Sequence, residues 1–439
     1  MAVPAPRPAY EPAPALTDRP APRLIQIAPQ QHYWLPRAVR RILPFIGPGF
    51  LVSVGYMDPG NWATDIEAGS RFGYELLWVL LASNLMALLL QTVSAKLGIA
   101  TGLSYPANCR RYFPRPVALG LWLTAEAAAM ATDLAEFLGA ALGFALLFHL
   151  PLIVGALLAT AAVFVILGLY RYGYQPVERV ILALIGIVGV GYLIEVKLVG
   201  ADWGALARGM VIPHLGSEQL LVAMAMLGAT VMPHNIYLHS GVVLSRRTTD
   251  NELANRRVLR GTLVDSVLAL NIAWLINSAI VVMAAGAFFS AGIAVTSLEQ
   301  AHETLTPLVG ELSGFVFAMA LLASGLSSSS TATLAGQFII EGFTEFRIGL
   351  FVRRAITVVP ALLVIAAGFE PYQVLIVSQA GLSLQLPFAI FPLIMLTARR
   401  DVVGSYVNRR ITTVALVAIG VVISLLNAIL LVQLATGGD

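Results

Sequence analysis

Two short runs hold the residues whose types and spacing suggest chemistry. They are Asp58-Pro59-Gly60-Asn61 and Met232-Pro233-His234-Asn235. Both have the form X-Pro-X-Asn, and positions 58 and 232 lie 174 residues apart. Each run sits in the middle of a long apolar stretch. Proline removes a backbone donor and clashes with the preceding turn, so it breaks a helix. The breaks would free backbone carbonyls, notably those of Gly55 and Ala229, each three residues before its run. Asp58 offers a carboxylate, Asn61 an amide oxygen and Met232 a thioether. The only formal charge in this donor set is negative, so the set would bind a cation. Hard cations such as Mg²⁺ and Ca²⁺ gain little from sulfur, whereas softer divalent metals accept it. Mn²⁺ or Fe²⁺ fits, with Cd²⁺, Co²⁺ or Zn²⁺ as further possibilities. Ligand type does not separate Mn²⁺ from Fe²⁺.

A second group could carry protons. Glu126, Asp133 and Glu136 lie in otherwise apolar sequence. At 100° per residue, Glu126 and Asp133 differ by about 20°, and Asp133 and Glu136 by about 60°, so all three share a helix face. Desolvated carboxylates titrate near neutral pH, and His234 is the other natural carrier. Arg353 and Arg354 could compensate the buried acids. The expected route takes protons at Asp58 or His234 and passes them to Asp133 and Glu136. A structural ion-pair network between the same elements is the competing reading.

These residues need a membrane to surround them. Of 439 residues, 58% are hydrophobic and 12% charged, against about 25% charged in a soluble domain. That excludes a soluble globular enzyme, a disordered chain and a nucleic-acid binder. Apolar runs of about 20 residues are needed to span a bilayer. Eleven are read here, at 45–72, 76–99, 117–148, 151–170, 177–197, 217–245, 258–287, 310–343, 349–368, 371–397 and 405–435. With the N-terminus in the cytoplasm, 24 of the 27 Lys and Arg residues fall on the inner side, as the positive-inside rule requires. The C-terminus is then outside. The expected class is an all-α polytopic membrane protein, and the expected location is the plasma membrane (the bacterial inner membrane).

The broken spans are the first and the sixth, and each opens a group of five. An odd group size inverts the second copy. The chain therefore divides into a first repeat over 45–197, an inverted repeat over 217–397 and an eleventh span over 405–435. Paired breaks at matching positions of two halves mark a transporter binding site. Residues 1–44 hold ten of the 24 prolines and six arginines. They read as a disordered cytoplasmic tail without the apolar core of a signal peptide. Its basic end, Arg37, Arg40 and Arg41, suits anionic lipid. Cys109 is the only cysteine, which excludes an intramolecular disulfide. No Gly-Lys-Ser/Thr phosphate loop is present, so an ion gradient must supply the energy.

The chain resembles the Nramp family of proton-coupled divalent-metal transporters, of the bacterial manganese/iron type. The resemblance runs through Asp58-Pro59-Gly60-Asn61 and through 223–235, Ala-Met-Ala-Met-Leu-Gly-Ala-Thr-Val-Met-Pro-His-Asn, into Ile236-Tyr237-Leu238-His239-Ser240. It implies a LeuT-like fold with inverted repeats and alternating access. It also implies that Asp58, Asn61 and Met232 bind the metal, joined by the carbonyl of Ala229, or of Gly55 in another state. Gln379 matches a position that approaches the metal in some states, and Gly55 stands where many members have alanine. Relatives that move Mg²⁺ lack the methionine. The matching residues from the metal site through Asp133, Glu136, Glu126, Arg353 and Arg354 form a polar network toward the cytoplasm. The implied partners are the transported metal, protons and lipid, with no nucleic acid and no prosthetic group, and a monomer as the working unit.

Rival readings are an amino-acid or other organic-solute transporter of the same fold, a metal sensor without flux, and an intramembrane metalloenzyme. The last lacks the histidines it would need. The serine-rich stretch 324–333 reads as close helix packing. Asp265, Asn271 and Asn277 read either as an outer aqueous path or as interhelical hydrogen bonds, and His239 as a packed residue in the inner half of the sixth span or else as part of the path. His302-Glu303-Thr304-Leu305-Thr306 begins like a zinc-protease motif but lacks the second histidine, so it reads as a loop fragment.

Overall fold

The computed structural model describes residues 47–169, 174–248 and 251–436. The tail and Arg171 lie outside the described residues. Every regular element among the described residues is a helix. The first apolar stretch forms two pieces, α1 (Pro48–Gly55) and α2 (Pro59–Phe72). There follow α3 (Leu77–Thr101), the short α4 (Tyr105–Tyr112), α5 (Arg115–Phe148) and α6 (Leu152–Leu169). The helix α7 (Tyr174–Val199) turns through 120° into α8 (Trp203–Val211). The sixth stretch is again two pieces, α9 (Ser217–Val231) and α10 (Pro233–Val242). The chain ends with α11 (Glu252–Ala287), α12 (Leu298–Val309), α13 (Glu311–Thr344), α14 (Leu350–Ala366), α15 (Pro371–Thr397), α16 (Arg400–Val403) and α17 (Arg410–Thr436).

Among the described residues, eight helical segments are long and apolar enough to cross a bilayer, taking α9 and α10 as one. The other three expected spans differ for physical reasons. The first is cut into helices of 8 and 14 residues. The fifth, α7, has 26 residues and bends through 120° beyond Val199. The ninth, α14, has 17 residues and carries Arg353 and Arg354.

One expectation is corrected. Residues 298–309 are a helix, not a loop. Ser297 caps it by accepting from the Gln300 N–H at 3.0 Å. Leu298, Ala301 and Leu305 are buried at helical spacing on one face, which gives the segment a reason to fold against the bundle.

Small residues let the helices close around the two breaks. A Cβ on Gly228 would lie 2.1 Å from the Gln379 carbonyl oxygen, so α9 and α15 touch backbone to backbone. Gly325 meets Ala140, and Gly143 meets Leu322, at 2.5 and 2.6 Å in the same sense, which seats α13 along α5. The small-residue reading of 324–333 fits this packing. The Asp265 carboxylate accepts from the N–H groups of Gly47 (3.2 Å) and Gly49 (2.7 Å), tying the start of α1 to α11. For this residue the interhelical reading holds.

Gly228→Val should destabilise by about 1–3 kcal/mol through overpacking. Gly120→Ala, which meets nothing within 4 Å, should be neutral. Thermal unfolding of both variants in detergent checks this, and equal melting temperatures would contradict the close α9–α15 contact.

Candidate metal centre

Pro233 has no N–H, so the carbonyl of Ala229, four residues earlier, loses its helical donor. The same holds for Gly55 and Pro59. The chain resolves the two cases differently. At the first break, the Gly55 carbonyl accepts from Asp58 N–H at 3.2 Å in a tight turn. The carbonyls of Tyr56 and Met57 accept from the side chains of Asn277 (2.8 Å) and Ser324 respectively. At the second break, the Ala229 carbonyl accepts from the Asn61 side-chain amide at 3.1 Å. Each break is thus satisfied within the protein, the first partly by its own Asp58 N–H.

Asp58 is the N-cap of α2. Its Oδ1 accepts from Asn61 N–H and from the Asn61 side-chain amide, both at 2.8 Å. Its Oδ2 has no partner, although the residue is wholly buried. Met232 joins α9 to α10 at φ 44°, a left-handed conformation that is strained for a non-glycine residue. Its sulfur accepts from the Asn235 amide at 3.3 Å. A Cβ on Gly55 would lie 3.3 Å from that sulfur and 2.5 Å from the Asn235 amide nitrogen, so Gly55 lies directly beside Met232. Gln379 fills the space beside Gly60, 2.1 Å from where a Cβ would sit, and its Oε1 is a second buried acceptor without a partner.

Asp58, Asn61, Ala229, Met232, Gly55 and Gln379 therefore share one buried neighbourhood. Within it, the Asn61 amide bridges Asp58 to Ala229 with its N–H₂, and its oxygen accepts from Asn277 at 3.3 Å. The C-terminal end of α9 points carbonyls into this neighbourhood, which favours positive charge. What remains is an acceptor-rich pocket with one carboxylate and one thioether. No three His, Cys, Asp or Glu side chains group to hold a metal among the described residues, so the donor set is a mixed one.

The acids of α5 are paired across to α14. Asp133 bonds Arg354 at 2.9 Å with both side chains 1% exposed. Glu126 bonds Arg353 at 2.8 Å. Arg354 also donates to the Ser329 hydroxyl at 3.1 Å. Glu136 is buried with both oxygens unpartnered. His234 Nδ1 lies 3.1 Å from the Thr132 hydroxyl on the same helix as the acids. Sequence reasoning missed a string from His239 through Gln91 to the Tyr56 hydroxyl, each step 2.9 Å. Only the polarity of Gln91 inside an apolar stretch could have flagged it. For Asn277 the interhelical reading holds, since it donates to the first break, whereas the role of Ser324 as a donor there was missed.

Residues 49–433 match the family model described as Nramp, natural resistance-associated macrophage protein-like. The chain belongs to the Nramp family. The divalent metal cation transporter MntH of Deinococcus radiodurans is 47% identical over 403 residues, 92% of each chain. A crystal structure of the Eremococcus coleocola manganese transporter aligns with a TM-score of 0.82 at 31% identity, covering 92% of this chain and 89% of that one. Mhp1, a nucleobase-cation-symport-1 transporter, aligns at 0.60 with 14% identity, covering 87% and 89%, and shares the fold alone. The Nramp chain described here is therefore an integral membrane protein with a LeuT-type transporter fold.

A separate cavity of about 300 Å³ lies where the end of α5 meets α12, lined by His149, Glu299, His302 and Glu303 among others. Burial pushes the Glu299 carboxyl above its ordinary value and the His302 imidazole below it.

The Asp133–Arg354 pair yields a stability test. Arg354→Met should cost about 3–5 kcal/mol, because it strands a buried carboxylate. The double variant Asp133→Leu/Arg354→Met should recover most of that loss. Thermal unfolding decides, and a double variant no better than the single one would show that the pair is not energetically isolated.

Proposed function

We propose that this protein imports divalent transition metals by alternating access, driven by proton co-transport. Mn²⁺ or Fe²⁺ is the physiological cargo, with Cd²⁺, Co²⁺ or Zn²⁺ as further substrates. The observation that carries this reading is the grouping, in one buried neighbourhood, of an unpartnered Asp58 oxygen, the Ala229 carbonyl that has lost its helical donor and accepts from Asn61 instead, and the Met232 sulfur. Family membership supports it, as do relatives described as divalent metal cation and manganese transporters.

In this mechanism Asp58 supplies the charge that draws the cation out of water. The Ala229 carbonyl and the Asn61 amide oxygen complete a hard half-shell, which requires the Asn61 amide to turn from its present bonds. Met232 supplies the sulfur that favours softer metals over Ca²⁺ and Mg²⁺. Gln379 reaches the ion from α15, and the Gly55 carbonyl replaces that of Ala229 when the first break rearranges. Cation binding displaces protons from Asp58 or His234. They pass to Asp133 and Glu136, and the ion pairs to Arg353 and Arg354 break and re-form as the inner side opens.

The architecture behind the mechanism is eleven spans. Five form 45–197, an inverted five form 217–397, and the last is 405–435. The N-terminus is cytoplasmic, the C-terminus is outside, and the chain works as a monomer in the bacterial inner membrane. The bias of 24 of 27 cationic side chains toward one side supports this orientation.

Purified protein in liposomes with an internal pH dye tests the reading. External Mn²⁺ should enter with acidification, and excess Ca²⁺ or Mg²⁺ should not compete. Asp58→Ala should abolish uptake. Met232→Ala should keep Mn²⁺ uptake and admit Ca²⁺ or Mg²⁺, and unchanged selectivity would contradict the role of sulfur. Asp133→Asn should reduce proton movement more than metal movement, and equal loss would leave the residue a structural one.

A further inference from the structure

Three buried groups take no part in the network on α5 and α14. Asp65 lies on α2, seven residues beyond Asp58 and so about 10 Å further along the helix. It is wholly buried, and neither carboxylate oxygen has a partner. Tyr192, on α7, packs its ring edge-on against Trp62 at 4.9 Å. Its hydroxyl is buried and unpartnered. Glu195 is about one turn further along α7, 1% exposed, with both oxygens unpartnered. Trp62, which carries the Tyr192 ring, stands three residues before Asp65 on α2, so the ring packs on the face of α2 that bears Asp65.

Isolated buried carboxylates are costly, and inside a membrane they mark function. We propose that Glu195, Tyr192 and Asp65 form an outer proton-carrying line that leads inward from the extracytoplasmic side and ends at Asp65, two turns short of the metal centre. This rests on the proton-coupled reading above. Water bridges the gaps between the groups. The Glu195 carboxylate takes a proton from outer water and passes it to the Tyr192 oxygen as the phenolic proton leaves for Asp65. One proton enters and one is held, with no other bond made or broken.

The surroundings leave this line uncontested. Residues 278–291 of α11 and its extension, 312–340 of α13, 219–231 of α9 and all of α1 and α6 contain no titratable side chain. On α2, Glu67 is held by the Tyr372 hydroxyl of α15 (2.8 Å) and by Arg71 (2.9 Å). Glu136 of α5 faces Asp58 and Asp133. His302 of α12 is 6.3 Å from Phe317, which in turn packs on Trp62 at 5.5 Å. With Glu299 and Glu303 it sits at the rim, beyond the line, and Lys197 follows Glu195 at the end of α7.

The test uses the full-length protein in liposomes, with Mn²⁺ outside, a pH dye inside and Mn²⁺ uptake measured in parallel. Tyr192→Phe keeps the ring packing and removes only the hydroxyl. Asp65→Asn and Glu195→Gln keep shape and remove the charge. Each should remove most of the acidification while Mn²⁺ uptake persists, so that the ratio of protons to Mn²⁺ falls. Each should also flatten the dependence of uptake on external pH. A wild-type ratio in Tyr192→Phe and in one of the carboxyl variants overturns the line. So does an equal fall of both fluxes, which marks a structural role. Tyr192→Phe decides alone if a carboxyl variant does not fold. Wild-type uptake without acidification would overturn the coupling itself, and that outcome is distinct because it appears before any substitution.

Discussion

Pro233 has no N–H to donate to the Ala229 carbonyl, so that carbonyl must find its donor elsewhere. The rest of the centre follows from this deficit. Asn61 reaches across from the other broken helix to satisfy the carbonyl, and in doing so it ties α2 to α9. Asp58 caps α2 from the same position and holds the same amide. Two helix breaks that would each be costly alone become mutually supporting when they face one another. The donors that settle the first break, Asn277 and Ser324, come from α11 and α13. Four helical elements therefore depend on the geometry of a few buried polar atoms.

The second theme is buried charge. Asp133 and Arg354 are as fully enclosed as any apolar residue. Such a pair is weak as a source of stability, yet strongly resists the loss of one partner. That asymmetry suits a contact that must be either made or broken, and it sits between the helix carrying His234's neighbour Thr132 and the short α14. The glycine contacts act in the opposite sense: at Gly228 and Gly325 the helices meet at backbone distance, which opposes sliding at these contacts.

Much of this was legible in the sequence because its signals are one-dimensional. A proline beside an intramembrane aspartate, and its counterpart near Met232, identify the breaks without a fold. Carboxylates on one face of α5 and a pair of arginines in an apolar stretch anticipate the ion pairs, and membership of the Nramp family follows from the same motifs. Other features need three dimensions. Ser324 looks like any packing residue until the fold sets it under the carbonyl of Met57, and the interhelical hydrogen bond open to Asn277 finds its acceptor, Tyr56, only in the fold. Asp65 and Glu195 lie in different spans, and no spacing rule connects them. The helix at 298–309 was hidden by its polar residues, although Leu298, Ala301 and Leu305 already held helical spacing. The spans containing α1 and α14 are the ones that break or carry arginine, and α7 bends at its outer end.

The central claim is that the two breaks together build one transition-metal site. Anomalous X-ray scattering from crystals soaked in Mn²⁺ tests it most directly. The account predicts one strong peak bounded by the Asp58 carboxylate, the Ala229 carbonyl and the Met232 sulfur, and no peak in Asp58→Ala crystals. A peak elsewhere with this pocket empty, or a peak that survives Asp58→Ala unchanged, would contradict it.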